Sequence, residues 1–402
     1  MRKIVLSILI LGGIGAWFVA WANIPESRLV DTSNSLPGPP QLLSCDSKTL
    51  GRSGGAGSVN RERSGEPIRL PRFLPRRMRG SWVAQGPEPV EGPVEPQSRT
   101  VDFNYEVIIE SIPEQARELK IWFPYLSETP YQEIQEVTIE PQDGAHISYD
   151  KTYHNKILNY RIASPQNSSL KFNIRYRVKR FEYSNKHAPS GPLSREEDLH
   201  TYLWPDRLVT ISPKINAMAK EITQGKSTTM EQARAIYDYV FQNVSYDKTI
   251  PGWGNGDTER VCLLKAGNCT DFHSLFISLA RASRIPAKFV MGVPLANHKK
   301  EGEIPGYHCW AEFYDEKLGW VPVDISEAWK NKSKYEYYFG TIGADRLEVS
   351  VGRDIVLEPN AHTEPLNYFL YPYVEVDGKK FEQVKTFFRF RDVKIRKEVS
   401  RL

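Results

Sequence analysis

The sequence predicts an α+β protein in which a β-sandwich-like domain precedes a mixed core of helices and antiparallel sheet. Three observations carry that expectation. From Thr100 to Trp204 apolar and polar side chains alternate with period two. From Ile211 to Ser283 the apolar residues recur at helical spacing, and beyond Pro286 the alternation returns. At 402 residues, with 40 % hydrophobic, 25 % charged and 11 % aromatic side chains, the chain can bury a sizeable core and hold two or three domains. A net charge of +4 is small for this length and excludes nucleic acid as the partner class that composition would favour.

The first 22 residues read as a targeting segment. Arg2 and Lys3 precede an apolar run from Ile4 to Ala22, and Ala20-Trp21-Ala22 offers small residues where a signal peptidase cuts. The flanks favour cleavage after Ala22, while the run is also long enough, at about 17 to 20 residues, to remain as a membrane anchor. In either case the remainder is expected to be exported to the periplasm or beyond, with membrane contact only if the segment is retained. From residue 23 to 99 Pro, Gly, Ser and Arg dominate, and no apolar period recurs. Such a stretch buries too little surface to offset its ordering entropy and reads as a disordered linker. It contains Cys45 and an arginine-rich patch from Arg61 to Arg79.

Residues 100–205 form the expected β domain, with V-D-F-N-Y-E-V-I-I, R-E-L-K-I-W-F-P-Y and L-K-F-N-I-R-Y-R-V-K as its clearest strands. Residues 206–343 form the next domain. Ser212-Pro213 reads as an N-cap with proline at the first helical position. A second helix is announced by Thr229 and Gln232 as a capping box, with Ala233, Ile236, Tyr237, Val240 and Phe241 along one stripe. Asn268 and Asp271 cap a third helix whose apolar face is Phe272, Leu275, Phe276 and Leu279. That helix stops before Pro286, because the residue preceding a proline is pushed out of the α region.

Cys269 falls in the first turn of this third helix. There the unpaired N–H groups and the helix dipole stabilise a thiolate, which is the nucleophilic form, and the same N–H groups can hold a developing oxyanion. Tyr307 to Tyr314 and Trp320 to Asp324 read as a hairpin around Asp315–Gly319. Folded symmetrically about Glu316, it places His308 opposite Asp324, about 5 Å apart between Cβ atoms. An aspartate there holds the imidazole in one tautomer while its other nitrogen faces the sulfur. His273, four residues after Cys269 on the same helix face, is the rival base, or else a packing residue behind the site.

The run G-N-C-T-D-F-H-S-L-F-I-S-L-A-R-A-x-x-I-P-A, then Y-H-C-W-A-E-F-Y and G-W-V-P-V-D, resembles the bacterial transglutaminase-like superfamily of papain-like thiol enzymes, exported members included. The resemblance spans about Pro213 to Ile342. It implies a transglutaminase-like core of helix bundle plus antiparallel sheet, and a catalytic triad of Cys269, His308 and Asp324. In better-known transglutaminases a tryptophan upstream of the nucleophile donates its indole N–H to the oxyanion. Trp253 is the residue for that role here, with packing against the helix start as the alternative.

Cys309 adjoins His308, so its side chain is expected on the opposite face of the strand, away from the reaction. With Cys262 it forms either a disulfide or two buried thiols, and the sequence leaves both open. No closely spaced ligand pair of the zinc type occurs, so no metal and no cofactor is expected. Residues 344–402 read as a C-terminal β extension that completes the central sheet or caps it. The expected activity is that of an exported cysteine acyltransferase, or a cysteine protease or amidase. It would act on carboxamide or peptide bonds of a protein or peptide substrate, with a cell-envelope component as one candidate. The contrasting expectation is a non-catalytic envelope scaffold with a vestigial fold of this type.

Overall fold

A computed structural model describes residues 97–184, 199–359 and 361–393 of the chain. The targeting segment, Cys45, the arginine-rich patch and the final residues lie outside the described residues, as does nearly all of the linker.

Seven strands come first: β1 (Ser98–Ile109), β2 (Glu118–Tyr125), β3 (Gln132–Glu140), β4 (His146–Tyr149), β5 (Lys156–Ala163), β6 (Leu170–Phe181) and the two-residue β7 (Tyr183–Ser184). The middle of the chain runs α1 (Pro213–Ile222), α2 (Thr229–Asn243), β8 (Ser245–Tyr246), α3 (Thr258–Leu264), β9 (Ala266–Gly267), α4 (Cys269–Ala282), β10 (Ala287–Pro294), β11 (Glu301–Ile304), β12 (His308–Asp315), β13 (Gly319–Val323) and α5 (Ile325–Lys330). It ends with β14 (Thr341–Ile342), β15 (Arg346–Val351), β16 (Tyr373–Val376), β17 (Lys379–Lys380) and β18 (Val384–Asp392).

Two five-stranded antiparallel sheets, ordered β11-β18-β1-β6-β3 and β17-β16-β2-β5-β4, make the sandwich. Alternation along β1 sends Val101, Phe103, Tyr105, Val107 and Ile109 inward, where they meet Phe123 and Tyr160 from the facing sheet. The segment 344–402 is therefore divided rather than being an extension of one domain. β15 joins the central sheet, ordered β13-β12-β10-β15, whereas β16 pairs with β2 and β18 with β1. The sandwich is thus closed by both ends of the described chain, and the helical region is threaded between β6 and β18. Strand β11, in the segment leading to His308, adds to the edge of β18 through Ile304 opposite Phe388.

The α4 helix is central to the α+β region. Its residues from Cys269 to Arg281 are all buried, with α1, α2, α3 and α5 packed round it and β10 and β12 beneath. Ser212 caps α1 with Pro213 in first position. The capping box of α2 lies one residue earlier than its sequence pattern suggested, at Thr228 and Glu231, because Thr228 is the residue in extended conformation. Helix α3 has no counterpart among the sequence expectations; it is short, and its cue is the cap Asp257, which accepts the N–H groups of Glu259 and Arg260. The described residues all fall within one compact unit, Gly86–Leu402. Among them no helix is long and apolar enough to cross a membrane.

Candidate active site

Local sequence builds the start of α4. The side chain of Asn268 accepts the N–H of Thr270 at 2.9 Å, and Asp271 reaches back to the N–H of Asn268 at 2.8 Å, a complete capping box. Gly267 is required by this arrangement, since a Cβ there would lie 2.2 Å from Asp271 Oδ2. Asp271 is fully buried and also accepts the N–H groups of Gly254 at 2.7 Å and Gly256 at 3.1 Å. It therefore pins the loop carrying Trp253 to the helix terminus. Burial outweighs those donors and pushes its carboxyl pKa above the usual range. Cys269 is the first residue of the helix, so its own N–H has no intrahelical acceptor.

The structure brings His308 and Asp324 together, though not as facing partners in a hairpin. Ala311 pairs with Val323 and Asp315 with Gly319, which centres the turn on Lys317 rather than Glu316. Gly319 at φ 73° and Asp315, accepting the N–H groups of Lys317 and Leu318, fix that turn. Strand β13 ends at Val323, and Asp324 is the N-cap of α5. One carboxylate oxygen, Oδ1, accepts Glu327 N–H and Ser326 Oγ–H, each at 3.0 Å; the other, Oδ2, lies 2.6 Å from Nε2 of His308. The cap locks the carboxylate, and the carboxylate orients the ring. Nδ1 is then the nitrogen left for the Cys269 sulfur, to which His308 is hydrogen-bonded.

Burial works against charge on all three groups, and their mutual contacts overcome it. Asp324 would be raised by burial, but the charge and hydrogen bond of His308, and then the charge of Arg346, hold it well below the usual carboxylate range. Burial would lower His308, yet the charge of Asp324 and the bond to it raise its pKa to about 9. Cys269 would be raised by burial; hydrogen bonds from Cys309 and His308 and the charge of His308 instead hold it well below the usual thiol range. The two shifts run in opposite directions, down for the thiol and up for the imidazole, and so favour the proton on His308 over Cys269.

The rival His273 is differently placed. Its Nε2 accepts the N–H of Ile325 at 3.1 Å, so the ring proton sits on Nδ1, and burial lowers its pKa. A neutral ring with its lone-pair nitrogen engaged is not poised to take a proton from Cys269. It ties α4 to α5. Trp253 is 39 % exposed, with Lys248 Nζ 5.4 Å from its ring centre, and is not packed into the helix start.

Cys309 corrects the expectation from strand alternation. Its Sγ lies 3.7 Å from Thr270 Oγ1 and 3.9 Å from His273 Nδ1, both on α4, and its thiol is hydrogen-bonded to Cys269. The first turn of α4 lies over the end of β12, where the ladder to β13 has yet to begin. His308 reaches the sulfur from the strand terminus and Cys309 from the helix-facing side. Cys262, on α3, lies 4.0 Å from Met218 Sδ; it and Cys309 are separate free thiols, which resolves the open choice.

Two groups went unnoticed in the sequence. The hydroxyl of Tyr307 accepts from Asn268 Nδ2 at 2.8 Å and shares a hydrogen bond with Thr270 Oγ1 at 3.1 Å. Glu327 places Oε1 4.0 Å from His308 Nδ1 while paired with Lys330 at 2.8 Å and Arg346 at 3.3 Å. Position was the available signal: Tyr307 precedes the histidine directly, and Glu327 lies one turn beyond Asp324. Among the described residues no three His, Cys, Asp or Glu side chains are grouped to hold a metal.

Residues 216–325, which contain Cys269, His273, Tyr307, His308, Cys309 and Asp324 but not Ser326, Glu327, Lys330 or Arg346, match the model of the transglutaminase-like superfamily. The chain carries a transglutaminase-like domain. The fold agrees with that of a candidate cysteine protease from Cytophaga hutchinsonii: the two share 14 % identity at a TM-score of 0.50, over 75 % of this chain and 93 % of the other. An uncharacterized protein of Haemophilus influenzae is 27 % identical over 64 % of this chain and 80 % of its own length. The uncharacterized protein YebA of Bacillus subtilis is 24 % identical over 33 % of this chain and 21 % of its own. This transglutaminase-like domain is mixed helix and sheet, joined to a sandwich that shares its segment before His308.

Proposed function

We propose that the protein is an exported cysteine acyltransferase or hydrolase acting on carboxamide or peptide bonds, with Cys269, His308 and Asp324 as its triad. One observation carries this reading: Cys269 opens α4 beside His308, whose imidazole is held by Asp324 at 2.6 Å. Cys269 attacks the carbonyl carbon, and the unpaired N–H of Cys269 lies where the oxyanion develops. His308 gives its proton to the departing amine, leaving a thioester on Cys269. The neutral imidazole then takes a proton from the acceptor, water or a second amine, which attacks the thioester and restores the thiolate. Asp324 keeps the ring in the tautomer that makes both transfers from Nδ1. Trp253 sits exposed on the loop that Asp271 pins to the helix start. Export rests on the apolar run Ile4 to Ala22, and it makes an extracytoplasmic protein or peptide the substrate.

Alkylation by iodoacetamide across pH tests the site. Cys269 should react well below the ordinary thiol range, and His308→Ala should remove that reactivity; a Cys269 inert at every pH would favour the scaffold reading instead. Incubation with a labelled amine and a glutamine-containing protein then separates transfer, which incorporates label, from hydrolysis, which does not.

A further inference from the structure

A second thiol stands in the site and has no part in acyl transfer. Cys309 is completely buried and Cys269 nearly so, at 2 % exposure; Cys269 opens α4, and Cys309 packs on the first turns of that helix. Thr270, the neighbour of Cys269, and His273, one turn on, hold the Cys309 sulfur from the same helix at 3.7 and 3.9 Å. The proton on His273 Nδ1 points towards that sulfur, because Nε2 is occupied as an acceptor. Helix and strand thus bring the two thiols together at the start of α4.

We propose that Cys309 is a resolving thiol, and that peroxides convert Cys269 and Cys309 into a reversible disulfide that shuts the site. The chemistry has two steps. The Cys269 sulfur attacks one oxygen of hydrogen peroxide, the O–O bond breaks with its electron pair going to the departing oxygen, and Cys269 becomes a sulfenic acid. Cys309 then attacks that sulfur; the S–S bond forms, the S–O bond breaks, and the oxygen leaves as water with the Cys309 proton. Two thiols are oxidised and one peroxide is reduced to two waters. Burial, and after it the bond and charge of Cys269, hold the Cys309 thiol well above the usual range, and oxidation of Cys269 removes that charge and so favours the second step. The N–H of His273 stabilises charge as it builds on the Cys309 sulfur.

The alternative fate of a sulfenic acid is irreversible oxidation to sulfinic acid. A disulfide to Cys309 protects against it. The regulatory meaning of this switch rests on the acyl-transfer reading; the covalent chemistry does not, so the test uses no substrate.

The full chain is treated with hydrogen peroxide and digested without reduction, and peptides are read by mass spectrometry. The wild type should yield a cross-linked pair containing Cys269 and Cys309, lighter by two hydrogens. Iodoacetamide labelling of Cys269 should be lost and then restored by dithiothreitol. Cys309→Ser keeps a hydrogen-bond donor but cannot resolve; its Cys269 should gain two or three oxygens, with recovery by dithiothreitol lower by about tenfold or more. Cys262→Ser should behave as wild type. A wild type that goes straight to sulfinic acid without the cross-link, a cross-link from Cys269 to Cys45 or Cys262 instead, or a Cys309→Ser protein that recovers fully would each overturn the proposal. The wild-type cross-link is read without any variant, so a Cys309→Ser protein that failed to fold would leave it standing as a test.

Discussion

The sandwich and the transglutaminase-like region are both built on antiparallel sheets with apolar cores, but around α4 a cluster of polar and titratable side chains is buried as well. Inside the sandwich the interior is aromatic, with Phe103, Tyr105, Phe123, Phe172 and Phe388 in contact. Pairs such as Arg175 with Glu140 and Arg391 with Glu301 lie outside, while Arg180 and Glu375 are buried. Around α4 the interior holds Cys269, Asp271, His273, His308 and Asp324, each with a hydrogen-bond partner. Exposed pairs are solvated and screened, and they hardly change the pKa of anything that reacts. Buried groups have no such cushion, so each contact decides which of them carries a proton. The titratable cluster of the proposed site is therefore confined to the second region, although both regions share one apolar core.

Substitutions can break this division, beginning with the largest expected effect. Cys269→Ala should lower acyl transfer or hydrolysis by roughly 10⁴-fold or more, while denaturant unfolding stays close to wild type. Persistent turnover would remove the nucleophile from the account. Asp324→Asn should lower kcat/KM by about 10²- to 10⁴-fold and move the alkaline limb of the pH profile towards acid. The sign follows from His308: in wild type the imidazolium loses its proton as pH rises through about 9, and without the charge of Asp324 burial pulls that limb down. An alkaline limb that stays in place would mean that Asp324 does not set the proton on His308.

Phe123→Ala, at a fully buried position of the sandwich, should cost about 3 to 5 kcal/mol in denaturant unfolding and leave the pH dependence of Cys269 alkylation unchanged. A shifted alkylation profile would show that the sandwich tunes the site. Arg175→Ala should change unfolding by less than about 1 kcal/mol, since both it and Glu140 are half exposed. A larger loss would mean that the surface pairs act as a network.

The start of α4 was legible in the residues themselves. A cap at Asn268, its answering Asp271 and the helical spacing behind them depend on neighbours within one or two turns, and the structure keeps all of them. Ser212-Pro213 was legible for the same reason. The β12–β13 turn was placed one residue off, and the error reached the site: it made Asp324 a strand residue, when it is a helix cap. A turn's centre is set by Gly319 and by the hydrogen bonds of Asp315, and one residue of slip moves every partner by two.

What the sequence alone determined about this protein is local: the strongly capped or strongly periodic helices and strands, and that a cysteine opens a helix ahead of a histidine-bearing strand. Tertiary structure decided three things. It returned β16 and β18 to a sandwich begun some 270 residues earlier, turned the helix cap of α5 into the support of His308, and set Cys309 against Cys269. Each depends on surfaces brought together from distant parts of the chain. Periodicity records which side of a segment is buried, but not what it is buried against.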